Sequence, residues 1–190
     1  MPETKKGKLF VITGSSGVGK TTIADAVLSE LPFFQRIVTC TTRAPREGEQ
    51  NGVDYNFFSK EKFEELVSKG EFLEHATVYG NYYGSLAKDV QNVINSGKSI
   101  LMLVDVQGAK TIKQKFPEAI TIFVKPPSLE SLRERLEKRS KDGKQTIEQR
   151  LSIASEELSR ADEFDHAVVN DDLARAVFET KQLISDELNN

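Results

Sequence analysis

Apolar residues fall in two rhythms along this chain. Leu9-Phe10-Val11-Ile12 is a continuous β-branched and aromatic run closed by Thr13-Gly14, the profile of a strand buried on both faces of a parallel sheet. From Lys20 to Leu31, the apolar residues Ile23, Ala24, Ala26, Val27 and Leu28 fall on a helical face, and Pro32 ends the segment. Ile100 to Val104 and Ala119 to Val124 are two more runs of strand length, each followed by helical spacing, and Ala167 to Val169 is a shorter one. This alternation predicts an α/β fold, a parallel sheet wrapped by helices.

Between Arg36 and Tyr83 the rhythm breaks. Turn signals at Ala44-Pro45, Glu47-Gly48, Asn51-Gly52 and Gly80-Asn81 surround short aromatic runs and one helix near Lys60 to Lys69, which predicts an inserted, mostly β sub-domain. From Leu129 to Gln149, basic side chains including Arg133, Arg135, Lys138 and Arg139 flank a polar break at Asp142-Gly143, the pattern of a helix, a mobile loop and a second helix.

Composition narrows the class of protein. At 190 residues the chain suits one core, and 38% hydrophobic with 29% charged residues places it outside the disordered, collagenous and membrane classes. A net charge of -3 gives no general affinity for nucleic acid, so anions would have to be held by locally placed basic groups. Cys40 is the sole cysteine, which excludes an intrachain disulfide or a multi-cysteine zinc site and fits a reducing compartment, the cytoplasm. The polar stretch Met1 to Lys8 and the short run after it are neither a signal-peptide core nor a membrane span, so no export and no membrane partner are expected.

The strongest chemistry-bearing pattern lies between the first strand and the first helix. Gly14-Ser15-Ser16-Gly17-Val18-Gly19-Lys20-Thr21 satisfies G-x-x-x-x-G-K-[ST]. Glycines allow positive φ and close backbone approach, so successive N–H groups can point at phosphate oxygens, and the helix N-terminus adds partial positive charge. Lys20 would reach the β and γ oxygens of a nucleotide, and the Thr21 hydroxyl would ligate its Mg²⁺. The alternative is a glycine-rich turn that only links strand to helix. A second basic feature follows in Thr39-Cys40-Thr41-Thr42-Arg43-Ala44-Pro45-Arg46. Two arginine forks held on a rigid turn suit phosphate oxygens, although a solvated surface turn would carry the same residues.

Thr41-Thr42-Arg43-Ala44-Pro45-Arg46, Glu47-Gly48-Glu49, Asn51-Gly52-Val53-Asp54-Tyr55 and Gly80-Asn81-Tyr82-Tyr83-Gly84-Ser85 together resemble the signature of guanylate kinases. Asp105-Val106-Gln107-Gly108, Pro126-Pro127-Ser128 and Val169-Asn170-Asp171-Asp172-Leu173 are similar to later landmarks of that family, in order and at the expected spacing. The resemblance implies a P-loop three-layer α/β/α core, a GMP-binding insertion and a helical lid in a single domain. Their expected extents are about 1–36, 91–128 and 160–190 for the core, about 37–90 for the insertion and about 129–159 for the lid.

It further implies ATP as phosphoryl donor on Gly14 to Thr22 with Mg²⁺, and GMP as acceptor. Arg43, Arg46, Tyr55 and Tyr83 would hold the GMP phosphate, and Thr39, Glu74, Gly84, Ser85 and Asp105 would face the base side. Arg135, Arg139 and Arg150 align with lid arginines that close on the transferring group. Read singly, Tyr55 and Tyr83 suit ordinary half-buried core tyrosines, and Glu74 suits a solvated strand-edge charge. Guanine presents N1–H and N2–H₂ donors beside an O6 acceptor, so a fixed carboxylate and a hydroxyl would select it over adenine.

One departure concerns the metal. Leu103 stands two positions before Asp105, where family members often carry an acidic residue, so Mg²⁺ is expected to rely on Thr21, nucleotide oxygens and water, with Asp105 as a water-mediated or base-side partner. His75, His166 and Cys40 are expected to be structural. Competing readings are a nucleoside-monophosphate kinase for another base and a guanylate-kinase-like module that binds phosphorylated peptides. Retention of Lys20 and the three aligned arginines favours the enzyme, which could be a monomer or a homo-oligomer.

Overall fold

The computed structural model describes residues 6–31, 33–78, 80–139 and 144–189, without the side chains of 139 and 144–146. The first strand, β1 (Leu9–Thr13), is buried along its whole length. It sits at the centre of a five-stranded parallel sheet in the order β2-β7-β1-β8-β9, where β2 is Phe34–Gln35, β7 Ser99–Leu103, β8 Ile120–Lys125 and β9 His166–Val169. Alternate residues of β1 feed two separate cores. Phe10 and Ile12 join Ile23, Ala24 and Val27 of α1 (Lys20–Glu30) and Ala176 and Ile184 of α7 (Leu173–Asn189). Leu9 and Val11 join Val90 and Ile94 of α3 (Ala87–Asn95) and Ala109 and Ile112 of α4 (Val106–Lys115). Helices on both faces explain why β1 reads as an unbroken apolar run rather than an alternating one.

The region after β2 forms a second, four-stranded sheet in the order β4-β3-β6-β5, with β3 at Cys40–Thr41, β4 at Asn56–Phe57, β5 at Phe72–Val78 and β6 at Asn81–Leu86. It has its own small core, in which Phe63 of α2 (Lys60–Ser68) stacks on Phe72 at 4.3 Å between ring centroids, beside buried Cys40. Burial pushes the Cys40 thiol up to about 11, opposed by a contact from Asn56, so it stays neutral and packs as a small apolar group, as its sequence setting suggests. His166 pairs with Glu187 at 2.8 Å, and His75 lies against Phe63 and Phe72, both outside the site described below.

Two further helices, α5 (Leu129–Arg139) and α6 (Lys144–Ser159), flank the predicted polar break; Lys141, Asp142 and Gly143 lie outside the described residues. Leu132 and Leu136 of α5 and Ile147, Leu151 and Ala154 of α6 are buried in the core that includes α1. Arg133 pairs with Glu148 across these helices. No helix among the described residues is long and apolar enough to cross a membrane.

Candidate active site

The carboxyl end of β7 and the first turns of α1 open onto a cleft of about 630 Å³ between the two sheets. Ligands gather at such strand ends in parallel sheets because loops and helix N-termini converge there. Gly14, Gly17 and Gly19 adopt φ of 134°, 86° and 99°, the left-handed half of backbone space that the motif requires. Two of them also leave room that a side chain would fill: a Cβ on Gly14 would meet the Val124 carbonyl oxygen at 2.4 Å, and one on Gly19 would meet Asn170 Nδ2 at 2.4 Å.

The loop is fastened from behind by residues distant in sequence. Asn170, 6% exposed, donates from Nδ2 to the Val18 carbonyl at 2.7 Å. Arg135 of α5 donates from Nη2 to the Asn170 carbonyl at 2.7 Å and from Nη1 to the Val18 carbonyl at 3.4 Å. Asn170 is therefore a loop-positioning residue, a role that its place in Val169-Asn170-Asp171-Asp172-Leu173 does not disclose. The structure places Arg135 against the loop, outside the residues that line the cleft.

Lys20 Nζ donates to the Gly14 carbonyl at 2.6 Å and the Ser15 carbonyl at 3.0 Å, which holds the ammonium across the loop. The hydroxyls of Thr13 and Ser15 are buried without a protein hydrogen-bond partner. Such groups cost about 1–3 kcal/mol each when left unpaired, so a polar ligand at the loop would relieve a strain already present. Thr21 lines the cleft, as does Asp25 one helical turn further along α1. These hard oxygen donors fit a Mg²⁺ shared with phosphates. Among the described residues no group of three acidic, histidine or cysteine side chains is gathered for a metal. Leu103, 38% exposed, forms part of the cleft wall.

Across the cleft stand Thr39, Tyr55, Glu74, Tyr83, Ser85 and Asp105. Glu74 lies on β5, an edge strand, yet is only 8% exposed, contrary to the solvated charge its local sequence suggests. Burial raises its pKa above the ordinary carboxylate range; Ser85, whose hydroxyl and backbone N–H reach it, pulls it down, Asp105 pushes it up and Lys115 pulls it down. Glu74 and Ser85 are directly opposed across β5 and β6, just past a register shift between Phe72 and Glu74. Gly84 permits this approach, since a Cβ there would lie 2.9 Å from the Glu74 carbonyl oxygen and from Phe72. Asp105 has a structural duty as well: Oδ1 accepts from Gly108 N at 2.6 Å and caps α4.

Arg43, Tyr55 and Tyr83, which the family resemblance implies hold a phosphate, lie beside one another. The Arg43 guanidinium lies 5.3 Å from the Tyr55 ring centre and 5.8 Å from that of Phe57, and Tyr55 meets Tyr83 edge to face at 6.1 Å. Glu49 holds Arg43 and raises its pKa further, with Tyr83 adding to the effect. Arg46 is exposed and Arg150 on α6 is partly buried; Arg43, Arg46 and Arg150 are not among the residues that line the cleft, and the side chain of Arg139 lies outside the described residues.

A glycine loop between a parallel strand and a helix, with its lysine facing tyrosines and a buried carboxylate across one cleft, defines a P-loop phosphotransferase of the nucleoside-monophosphate kinase fold. Comparison with known proteins gives the family. The guanylate kinase family model matches residues 6–187. The chain is 44% identical over 187 residues to a guanylate kinase of Symbiobacterium thermophilum, covering 98% of this chain and 89% of that one. It is 48% identical over 171 residues to one of Trichormus variabilis, covering 90% and 86%. A crystal structure of guanylate kinase from Anaplasma phagocytophilum superposes with a TM-score of 0.74 at 32% identity, covering 98% of this chain and 88% of that one. The chain belongs to the guanylate kinase family.

Proposed function

We propose that this chain transfers the γ-phosphoryl group of ATP to GMP, and to dGMP, yielding ADP and GDP or dGDP, in cytoplasmic purine nucleotide recycling. What carries the reading is the single cleft that joins Lys20 and Thr21 of the phosphate loop to Glu74, Tyr55 and Tyr83. The donor's β and γ phosphates would lie on the loop from Gly14 to Thr22. Charge-assisted bonds to phosphate exceed those to neutral carbonyls, so the nucleotide would draw Lys20 off Gly14 and Ser15. Arg43, Tyr55, Tyr83 and Arg46 would hold the acceptor phosphate. Glu74 would accept from the guanine N1–H and N2–H₂ groups, with Thr39 and Ser85 beside it.

An oxygen of the GMP phosphate then attacks the γ-phosphorus in line as the bond to the bridging oxygen of ADP breaks. No general base is needed, because that oxygen is already ionised at neutral pH. Mg²⁺, when bound beside Thr21, supplies charge neutralisation on the phosphate oxygens. Arg139 and Arg150 would close over the equatorial oxygens and exclude water, while Arg135 steadies the loop that carries Lys20. In this reading the core spans about 1–36, 91–128 and 160–190, the insertion about 37–90 and the lid about 129–159.

Turnover with ATP and Mg²⁺ across GMP, dGMP, AMP, UMP and dTMP tests the substrate. GMP and dGMP are expected to lead AMP, UMP and dTMP by at least about a hundredfold in kcat/KM. AMP preferred over GMP would overturn the reading.

A further inference from the structure

Arg43, the centre of the acceptor-phosphate clamp proposed above, does not stand alone. Its Nη2 donates to both oxygens of Glu49, at 2.8 and 3.0 Å, and its Nη1 donates to the Ala44 carbonyl at 2.7 Å. The same Glu49 Oε2 accepts from the backbone N–H of Arg46 at 2.7 Å, while Glu49 N donates to the Arg46 carbonyl at 3.1 Å. One carboxylate thus closes the turn from Arg46 to Glu49, fixing the main chain of one arginine and the guanidinium of the other. Both partners are partly shielded, at 16% and 20% side-chain exposure, so the pair is less screened than a fully solvated one.

We propose that Glu49 is a positioning residue that presents Arg43 to the phosphate of the acceptor nucleotide and sets the turn on which Arg46 stands. A guanidinium has five N–H donors in a rigid fork. With Nη2 turned to Glu49 and Nη1 to Ala44, its orientation over Tyr55 is fixed before a phosphate arrives, so less rotamer freedom remains to be lost on binding. The opposite role, a carboxylate that occupies the phosphate's place and must leave, fits the geometry less well. Glu49 leaving would break its bond to Arg46 N and with it the turn.

This inference rests on the assignment of Arg43 to the acceptor phosphate, and the experiment separates the two. Kinetics and equilibrium binding are measured for the whole protein with Glu49→Gln, Glu49→Asp, Arg43→Ala and the Glu49→Gln/Arg43→Ala pair, using GMP, guanosine and ATP. Glu49→Gln is expected to raise the Kd and KM for GMP by about tenfold to a hundredfold, with guanosine binding and KM for ATP within about twofold of the parent. Glu49→Asp, which keeps the charge at shorter reach, should recover part of the loss. In the Arg43→Ala background the Glu49 change should add less than about threefold, because the two act as one unit.

GMP binding that stays unchanged or tightens in Glu49→Gln would overturn the proposal. So would a loss shared equally by GMP, guanosine and ATP, which would assign Glu49 to the fold alone. If Arg43→Ala leaves GMP binding intact, the clamp assignment itself fails; if only the Glu49 variants bind normally, the clamp stands and the positioning role falls.

Discussion

Replacing Lys20 by alanine should lower kcat by about three orders of magnitude or more while the protein remains folded. Its ammonium lies across the loop, bonded at 2.6 and 3.0 Å to the carbonyls of Gly14 and Ser15. As the bond to the bridging oxygen breaks, charge builds between the β and γ phosphates, so losing this cation removes stabilisation that ground-state binding only partly shares. KM for ATP should therefore rise less than kcat falls. Lys20→Arg should not restore activity, because a planar guanidinium cannot occupy the site of a compact ammonium inside a glycine loop. Steady-state kinetics with matched circular-dichroism spectra check this, and near-parental activity in Lys20→Ala would refute the assigned role.

The second large effect is expected at Glu74. Glu74→Gln should lower kcat/KM for GMP by about a hundredfold to a thousandfold, since an amide N–H₂ would replace an acceptor proposed to face the guanine donors. Gln pairs well with adenine edges, so the ratio of GMP to AMP turnover should fall further than GMP turnover alone. The pH dependence follows from the raised pKa of the buried carboxyl. KM for GMP should rise as pH falls through that raised value, at a higher pH than an ordinary carboxylate would give.

Stability runs the other way. Between the ordinary and the raised pKa the folded state binds more protons than the unfolded state, so stability declines as pH rises through the folded value. Glu74→Gln, neutral at all pH, should accordingly raise the Tm measured at pH 7 while damaging GMP use. A Tm lowered by this substitution would contradict the account of Glu74 as a buried charge kept for recognition.

How far the sequence discloses this site depends on the range of the interactions. The phosphate loop is legible because a strand, three positive-φ glycines and a helix start are local and contiguous, and the structure sets Gly14, Gly17 and Gly19 accordingly. The central strand is legible because both its faces are covered, which leaves no polar alternation. The burial of Glu74 is not legible in its neighbours: it depends on the pairing of β5 with β6 and on the Gly84 approach, neither of which shows in the local string Gly70-Glu71-Phe72-Leu73-Glu74.

Asn170 is more remote still. Its bond to Val18 joins residues 152 positions apart, and only the lack of a side chain at Gly19 leaves space for it. Arg135 illustrates the same limit: a basic residue on an amphipathic helix gives no sign that it will pin a carbonyl 117 positions away. Glu49 lies between these cases. It is six positions from Arg43, and a turn marked by Pro45 and Gly48 closes the gap between opposite charges, so the signal for this pairing is local.

The most direct test follows the phosphorus atom itself. With ATP labelled in the γ position, Mg²⁺ and GMP, the label should appear in the β-phosphate of GDP at the same rate at which ADP forms, with little released as inorganic phosphate. Label that accumulates only as inorganic phosphate, or that fails to leave ATP when GMP is added, would contradict transfer to GMP in this cleft.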